Sequence, residues 1–128
     1  MRLLLDTHTL FWWLAQRDRL SMTATAAIAH VDNEVFVSLA SAWEMAIKAG
    51  QGKWPAVLQL LENFEKLMAE EHFRWLPISL PHVRTAGLMD TSHRDPFDRL
   101  LAAQARLEDL TLVTTDARLS ALGATVLW

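Results

Sequence analysis

The chain has 128 residues, a formal net charge of −3 and 52% hydrophobic residues, with no cysteine. This length and apolar content suit a single folded domain over residues 1–128 and exclude a disordered chain. The composition also excludes disulfides, thiolate metal sites, a thiol nucleophile, and a broad basic surface for nucleic acid.

The first ten residues, MRLLLDTHTL, carry one arginine and an apolar run that ends at Asp6. A signal peptide has a longer apolar region and a small-residue cleavage site. No segment reaches the length that spans a bilayer. We therefore expect a cytoplasmic protein without a membrane partner.

Apolar runs and helical periodicities alternate along the chain, and each predicts one element. In the first half the predicted order is a strand at Arg2–Leu5, helices at Leu10–Ala15 and Thr23–His30, a strand at Val35–Val37 and a helix at Ser41–Gly50. The start of the last helix rests on Ser41-Ala42-Trp43-Glu44, which has the pattern of a capping box.

In the second half, apolar residues at helical spacing predict a long amphipathic helix from Pro55 to Met68. The remaining predicted elements are a strand at Phe73–Ile78, a helix at Leu80–Met89, a helix at Pro96–Arg106 capped by Asp95, a strand at Leu110–Val113, a helix at Ala117–Leu122 and a strand at Thr125–Leu127.

Strands separated by helices indicate crossover connections, and such connections join parallel neighbours. The predicted fold is therefore α/β, with three α/β/α layers around a central, mostly parallel sheet of about five strands. Ligands of such sheets bind at the carboxyl ends of the strands. Neither an internal repeat nor a second domain boundary is visible.

Four acidic residues fall where a predicted strand gives way to a helix or where a helix opens: Asp6, Glu44, Asp98 and Asp116. Carboxylates gathered at one sheet edge repel one another, and a cation keeps such a cluster ionised. Oxygen ligands without sulfur favour Mg²⁺ or Mn²⁺. The sequence therefore predicts a metal site with Asp6 and Asp98 as direct ligands and Glu44 and Asp116 as direct or water-mediated ones.

Each carboxylate also has a structural interpretation. Glu44 could close the capping box, and Asp116 could be an N-cap. The dipole of its helix could stabilise the Asp98 carboxylate in the first turn. Asp95, directly before a proline, is expected to be an N-cap rather than a ligand. Asp6 has the weakest alternative, because a carboxylate that ends a buried strand costs desolvation unless something compensates it.

Four blocks of the sequence resemble, in the correct order, the PIN-domain proteins of the VapC toxin type: Leu3–Thr7, Ser41–Glu44, His93–Ala105 and Thr114–Asp116. The third block is long enough to be specific alone. The resemblance implies an α/β/α nuclease fold, Mg²⁺- or Mn²⁺-dependent endoribonuclease activity and catalytic roles for the four carboxylates. It also implies neutralisation by a cognate antitoxin and a homodimer.

Several residues near the expected cleft are candidate substrate contacts: Thr7, Thr115, Arg94, Arg99, Lys48 and Lys53. Lys48 lies four residues after Glu44 and could instead form a helix surface pair with it. His93 is expected to order its loop or to touch substrate phosphate.

Two other functions stay open. A catalytically silent PIN-fold module could bind RNA or protein, although the chain retains all four carboxylates. A haloacid-dehalogenase-like phosphatase could use Asp6 as nucleophile, but its usual second aspartate two residues later is His8. Adjacent Trp12 and Trp13 point about 100° apart on a helix, so one of them is expected to face a dimer partner or the antitoxin.

Overall fold

The computed structural model describes all residues, 1–128. Its five strands are β1 Arg2–Leu5, β2 Glu34–Ser38, β3 Arg74–Leu76, β4 Thr111–Val113 and β5 Thr125–Leu127. They form one sheet in the order β3-β2-β1-β4-β5, and every neighbouring pair is parallel. The predicted five-stranded parallel sheet is confirmed.

Helices connect these strands. They are α1 Thr7–Ala15, α2 Met22–Ala29, α3 Leu39–Gly50, α4 Leu58–Glu62, α5 Phe64–Glu70, α6 Leu80–Gly87 and α7 Pro96–Leu107. Short 3₁₀ turns lie at Arg17–Arg19, Pro55–Val57 and Ala117–Leu122. None of the helices combines the length and the apolarity that a bilayer crossing requires.

The central strand β1 is buried on both faces because its side chains alternate between the two layers. Leu3 and Leu5 pack into a cluster with residues of α1, α2, α3 and α5, whereas Leu4 packs into a second cluster with residues of α7. All three leucines are completely inaccessible to solvent. The three-layer α/β/α arrangement is therefore confirmed.

Two helix starts differ from the prediction. Helix α1 begins at Thr7 rather than Leu10, because the Asp6 side chain accepts a hydrogen bond from the Thr7 amide and caps it. Helix α3 begins at Leu39, since Ser38 Oγ accepts from the Ala40 amide. The capping box predicted at Ser41 was wrong, because a serine three residues earlier serves as the cap.

The long helix predicted from Pro55 to Met68 was also wrong. The segment forms a 3₁₀ turn and two short helices, α4 and α5, interrupted at Asn63 with φ −113° and ψ 17°. Asn63 Nδ2 donates to the Gln59 carbonyl oxygen at 2.9 Å, and such local side-chain bonds compete with helix continuation. Val57, Phe64 and Met68 are buried on either side of this break.

Leu4→Ala tests whether packing of β1 in the core stabilises the fold, because it removes side-chain volume from a fully buried position. We expect the free energy of unfolding in urea to fall by about 2–5 kcal/mol. Leu88→Ala is the matched control, since Leu88 is 79% exposed, and it should change stability by less than about 0.5 kcal/mol. Equal losses in the two variants would contradict this account of the core.

Candidate active site

A cleft of about 320 Å³ opens at the carboxyl ends of β1 and β4. From β1 the chain first adds strands on one side and later returns to add β4 on the other, so the strand order reverses here. The residues that line the cleft are Asp6, His8, Trp12, Glu44, Lys48, Asp95, Asp98, Thr115 and Asp116. All four predicted carboxylates thus share one cleft.

Asp6 follows the last residue of β1 and is half-buried. Its Oδ1 accepts from the Thr7 amide at 2.7 Å, and its Oδ2 accepts from Thr114 Oγ1 at 2.8 Å. Burial raises the pKa of Asp6 above its ordinary value, although these two hydrogen bonds lower it in part. The negative charge of Glu44 raises this pKa further.

Glu44 lies inside α3 and is only 6% exposed. Thr7 Oγ1 donates to its Oε1 at 2.7 Å, and Lys48 Nζ donates to its Oε2 at 2.7 Å. Thr7 Oγ1 also lies 3.0 Å from Ser41 Oγ. Glu44 therefore points into the cleft and has a cationic partner, and it takes no part in capping its helix.

Asp98 lies in the first turn of α7, and Asp95 is the N-cap of that helix, as predicted. Asp98 Oδ2 lies 2.8 Å from His93 Nε2. Burial raises the pKa of Asp98 to about 6, and the charges of Asp95 and Asp6 act in the same direction, whereas the His93 bond opposes them. His93 thus orders the loop before α7 and contacts a cleft carboxylate.

Asp116 caps the 3₁₀ turn Ala117–Leu122, so the structural alternative considered for it is present alongside its place in the cleft. The Arg118 side chain donates Nε to Oδ1 at 2.9 Å and Nη2 to Oδ2 at 2.8 Å. This two-bond contact lowers the pKa of Asp116. The Asp116 carboxylate consequently stays charged and is already paired with a guanidinium.

The carboxylates share the cleft, but each is turned towards its own partner. No group of three or more His, Asp or Glu side chains is close enough together to hold a metal ion. The chemistry of the four residues fits a hard divalent cation, because all their donors are carboxylate oxygens. Coordination by three of them therefore requires at least one side chain to move from its present position.

Four of the six candidate substrate contacts do not line this cleft, and one of the four, Lys53, lines a neighbouring cleft instead. Arg99 Nη2 donates to the carbonyl oxygens of Gly87 and Met89, and Arg99 lines a separate cavity between α6 and α7. Arg94 is exposed but does not line the cleft. Thr7 is buried, and its hydroxyl is bonded to Glu44. Thr115 and Lys48 line the cleft itself.

Sequence reasoning missed three neighbours of the carboxylates. His8 and Trp12 line the cleft, and Thr114 donates a hydrogen bond to Asp6. His8 and Trp12 could have been found from the sequence, because they are four residues apart and share one face of a helix that begins at Thr7. Thr114 lies directly after β4, where a polar residue faces the same sheet edge.

A parallel sheet with an acid-lined cleft at its strand reversal defines the class of α/β proteins that bind ligands at the carboxyl ends of their strands. The family model of the PIN domain matches residues 3–124. The chain therefore belongs to the PIN domain family.

Known relatives agree with this assignment. The chain is 38% identical over 117 residues to Ribonuclease VapC22 of Mycobacterium tuberculosis, which covers 91% of this chain and 88% of that protein. Its fold is similar to that of VapBC2 from Rickettsia felis bound to a DNA fragment from their promoter, with a TM-score of 0.68, 14% identity and coverage of 99% and 98% of the two chains. A toxin-antitoxin complex from Klebsiella pneumoniae gives a TM-score of 0.67, 18% identity and coverage of 98% and 96%.

Asp98→Asn tests whether the charged Asp98 carboxylate lowers the free energy of unfolding. A carboxyl with a raised pKa binds its proton more tightly in the folded than in the unfolded state, so its contribution to stability falls as pH rises from about 4 to about 6. In EDTA, Asp98→Asn should therefore be more stable than the native chain at pH 7 by roughly 1 kcal/mol, with solvent screening taken into account. The gap should close near pH 4.

Urea unfolding at the two pH values measures this difference. Asp32→Asn removes an exposed carboxylate outside the cleft and is the matched control. If Asp98→Asn were no more stable than the native chain at pH 7, the cleft would not hold an uncompensated charge at Asp98.

Proposed function

We propose that this protein is a metal-dependent endoribonuclease that acts as the toxin of a toxin–antitoxin pair, and that residues 1–128 form one PIN domain. The single observation that carries the proposal is the gathering of Asp6, Glu44, Asp98 and Asp116 in one cleft at the strand reversal. The 38% identity to a protein named a ribonuclease supports RNA as the substrate.

Asp6 and Asp98 are the proposed direct ligands of Mg²⁺ or Mn²⁺. Burial raises the pKa of both carboxyls, and neither is paired with a lysine or an arginine. Glu44 and Asp116 already have Lys48 and Arg118 as partners. They are the proposed supporting ligands, either direct or through water.

Asp6 and Asp98, supported by Glu44 and Asp116, would hold the divalent ion, which would supply neutralisation of the phosphate oxygens and a more acidic water molecule. A cleft carboxylate positions that water and accepts its proton. The water oxygen then forms a bond to phosphorus while the bond from phosphorus to the 3′ oxygen breaks, and the departing 3′ oxygen takes up a proton from solvent water in the open cleft. The products carry 5′-phosphate and 3′-hydroxyl ends.

A cognate antitoxin and a second copy of the chain are the proposed protein partners. A solved structure of similar fold is a toxin-antitoxin complex. Helix α6 and its end also expose large apolar side chains, with Leu80 64% and Leu88 79% accessible. Apolar surface of this kind is typical of protein interfaces when it is contiguous.

One observation favours a second function, a catalytically silent module that binds RNA or protein. The carboxylates are separately paired, and no three of the acidic or histidine side chains converge on a common point. In that case the ion pair of Glu44 with Lys48 and that of Asp116 with Arg118 would be permanent structural contacts.

Cleavage of a mixed total-RNA pool by the purified, antitoxin-free protein tests the proposal. We expect cleavage with Mg²⁺ or Mn²⁺, none with EDTA, and a loss of at least about 100-fold in rate for Asp6→Asn and for Asp98→Asn. Asp32→Asn should cleave at the native rate, because Asp32 lies outside the cleft. Sequencing of the ends should show 5′-phosphates.

Folded protein that cleaves no RNA with either metal, at any concentration up to the micromolar range, would move the assignment to the silent module. Cleavage that survives both substitutions would contradict the assigned ligands while leaving a nuclease.

A further inference from the structure

A second cleft, of about 310 Å³, adjoins the carboxylate cleft. It is lined by His8, Lys48, Lys53 and Trp54, and we call it the stacking cleft. His8 and Lys48 line both clefts. The two clefts therefore meet at these two side chains.

Two aromatic rings in the stacking cleft are already stacked. The His8 and Trp54 ring centroids are 4.8 Å apart with an interplanar angle of 20°. The buried Phe11 ring meets Trp54 edge-on at 5.0 Å and 66°, which holds the indole in place. His8 is the exposed member of the pair, whereas Trp54 is half-buried. His8 also lies 5.8 Å from the tilted Trp12 ring, and it remains the exposed end of the stack with Trp54.

Positive charge lies along the same cleft. Lys53 is exposed at the cleft wall and makes no ion pair, whereas Lys48 Nζ, 5.8 Å from the Trp54 ring centroid, is paired with Glu44. The chain carries a net charge of −3, so a polyanion needs such local cations. Aromatic rings with neighbouring lysines bind single-stranded nucleic acid, because bases stack on the rings while the cations contact the backbone.

We propose that the stacking cleft binds the nucleotide next to the scissile phosphate of single-stranded RNA. The base stacks on the outward face of His8 and extends the His8–Trp54 pair, and Lys53 contacts the phosphate of that nucleotide. This inference rests on the proposed ribonuclease function. The stacked base has to be unpaired, because a base inside a duplex has no free face to offer.

Comparing the binding of two oligonucleotide-like ligands of equal charge, one with bases and one without, isolates the contribution of stacking. In an Asp98→Asn background that prevents turnover, fluorescence anisotropy gives the Kd of a labelled hexauridylate and of a hexameric ribose-phosphate chain without bases. We expect the hexauridylate to bind about 10-fold more tightly, which is the size of a single base–aromatic contact. His8→Ala should remove this preference and leave the affinity for the baseless chain unchanged.

Further variants separate stacking from charge and from folding. Trp54→Leu should reduce the preference, and Trp54→Phe, which keeps an aromatic ring against Phe11, should retain most of it. Lys53→Ala should weaken the binding of both oligomers equally and make their Kd depend less steeply on salt concentration. His30→Ala and Lys66→Ala are matched controls, because both residues are exposed and line neither cleft. They should change nothing.

A preference for the hexauridylate that survives both His8→Ala and Trp54→Leu unchanged would overturn the proposal. So would loss of affinity for a protein partner in His8→Ala without any change in RNA binding. Failure of the ribonuclease function looks different: the chain with native Asp98 would cleave no RNA, while the base preference and its dependence on His8 would persist.

Discussion

Carboxylates repel one another wherever a fold gathers them in a partly buried cleft. Here the gathering follows from the sheet itself, because Leu3 to Leu5 are completely buried and place Asp6 at the end of the central strand. Helix α7 brings Asp98 to the same cleft. Burial raises the pKa of both carboxyls, so the fold creates a local demand for positive charge.

The chain meets this demand unevenly. Lys48 neutralises Glu44 from within the same helix, and Arg118 forms a two-bond contact with Asp116. The side-chain partner of Asp98 is the His93 ring. Asp6 accepts hydrogen bonds from the Thr7 amide and the Thr114 hydroxyl, which are both neutral. A divalent cation would therefore stabilise Asp6 and Asp98 more than Glu44 and Asp116. This difference is why Asp6 and Asp98 are the proposed direct ligands and the other two the supporting ones.

The sequence predicted the sheet well, because five apolar runs separated by helical segments allow few arrangements. Local signals failed where two of them competed or where packing decided. Ser38 and Ser41 are both suitable caps, and only the first is used; the helix from Pro55 breaks at Asn63. In the site, the carboxylates could be found because they lie where a strand ends or a helix opens. The stacking of Trp54 on His8 depends instead on a tertiary contact across 46 positions of the chain.

Diffraction from crystals grown with Mn²⁺, recorded with the anomalous signal of manganese, tests most directly whether the cleft is a metal site. The account predicts one strong peak with carboxylate oxygens of Asp6 and Asp98 at roughly 2.0–2.3 Å, and side chains rotated away from their present partners. A cleft that stays without manganese at saturating concentration, with Lys48 and Arg118 still on their carboxylates, would contradict it.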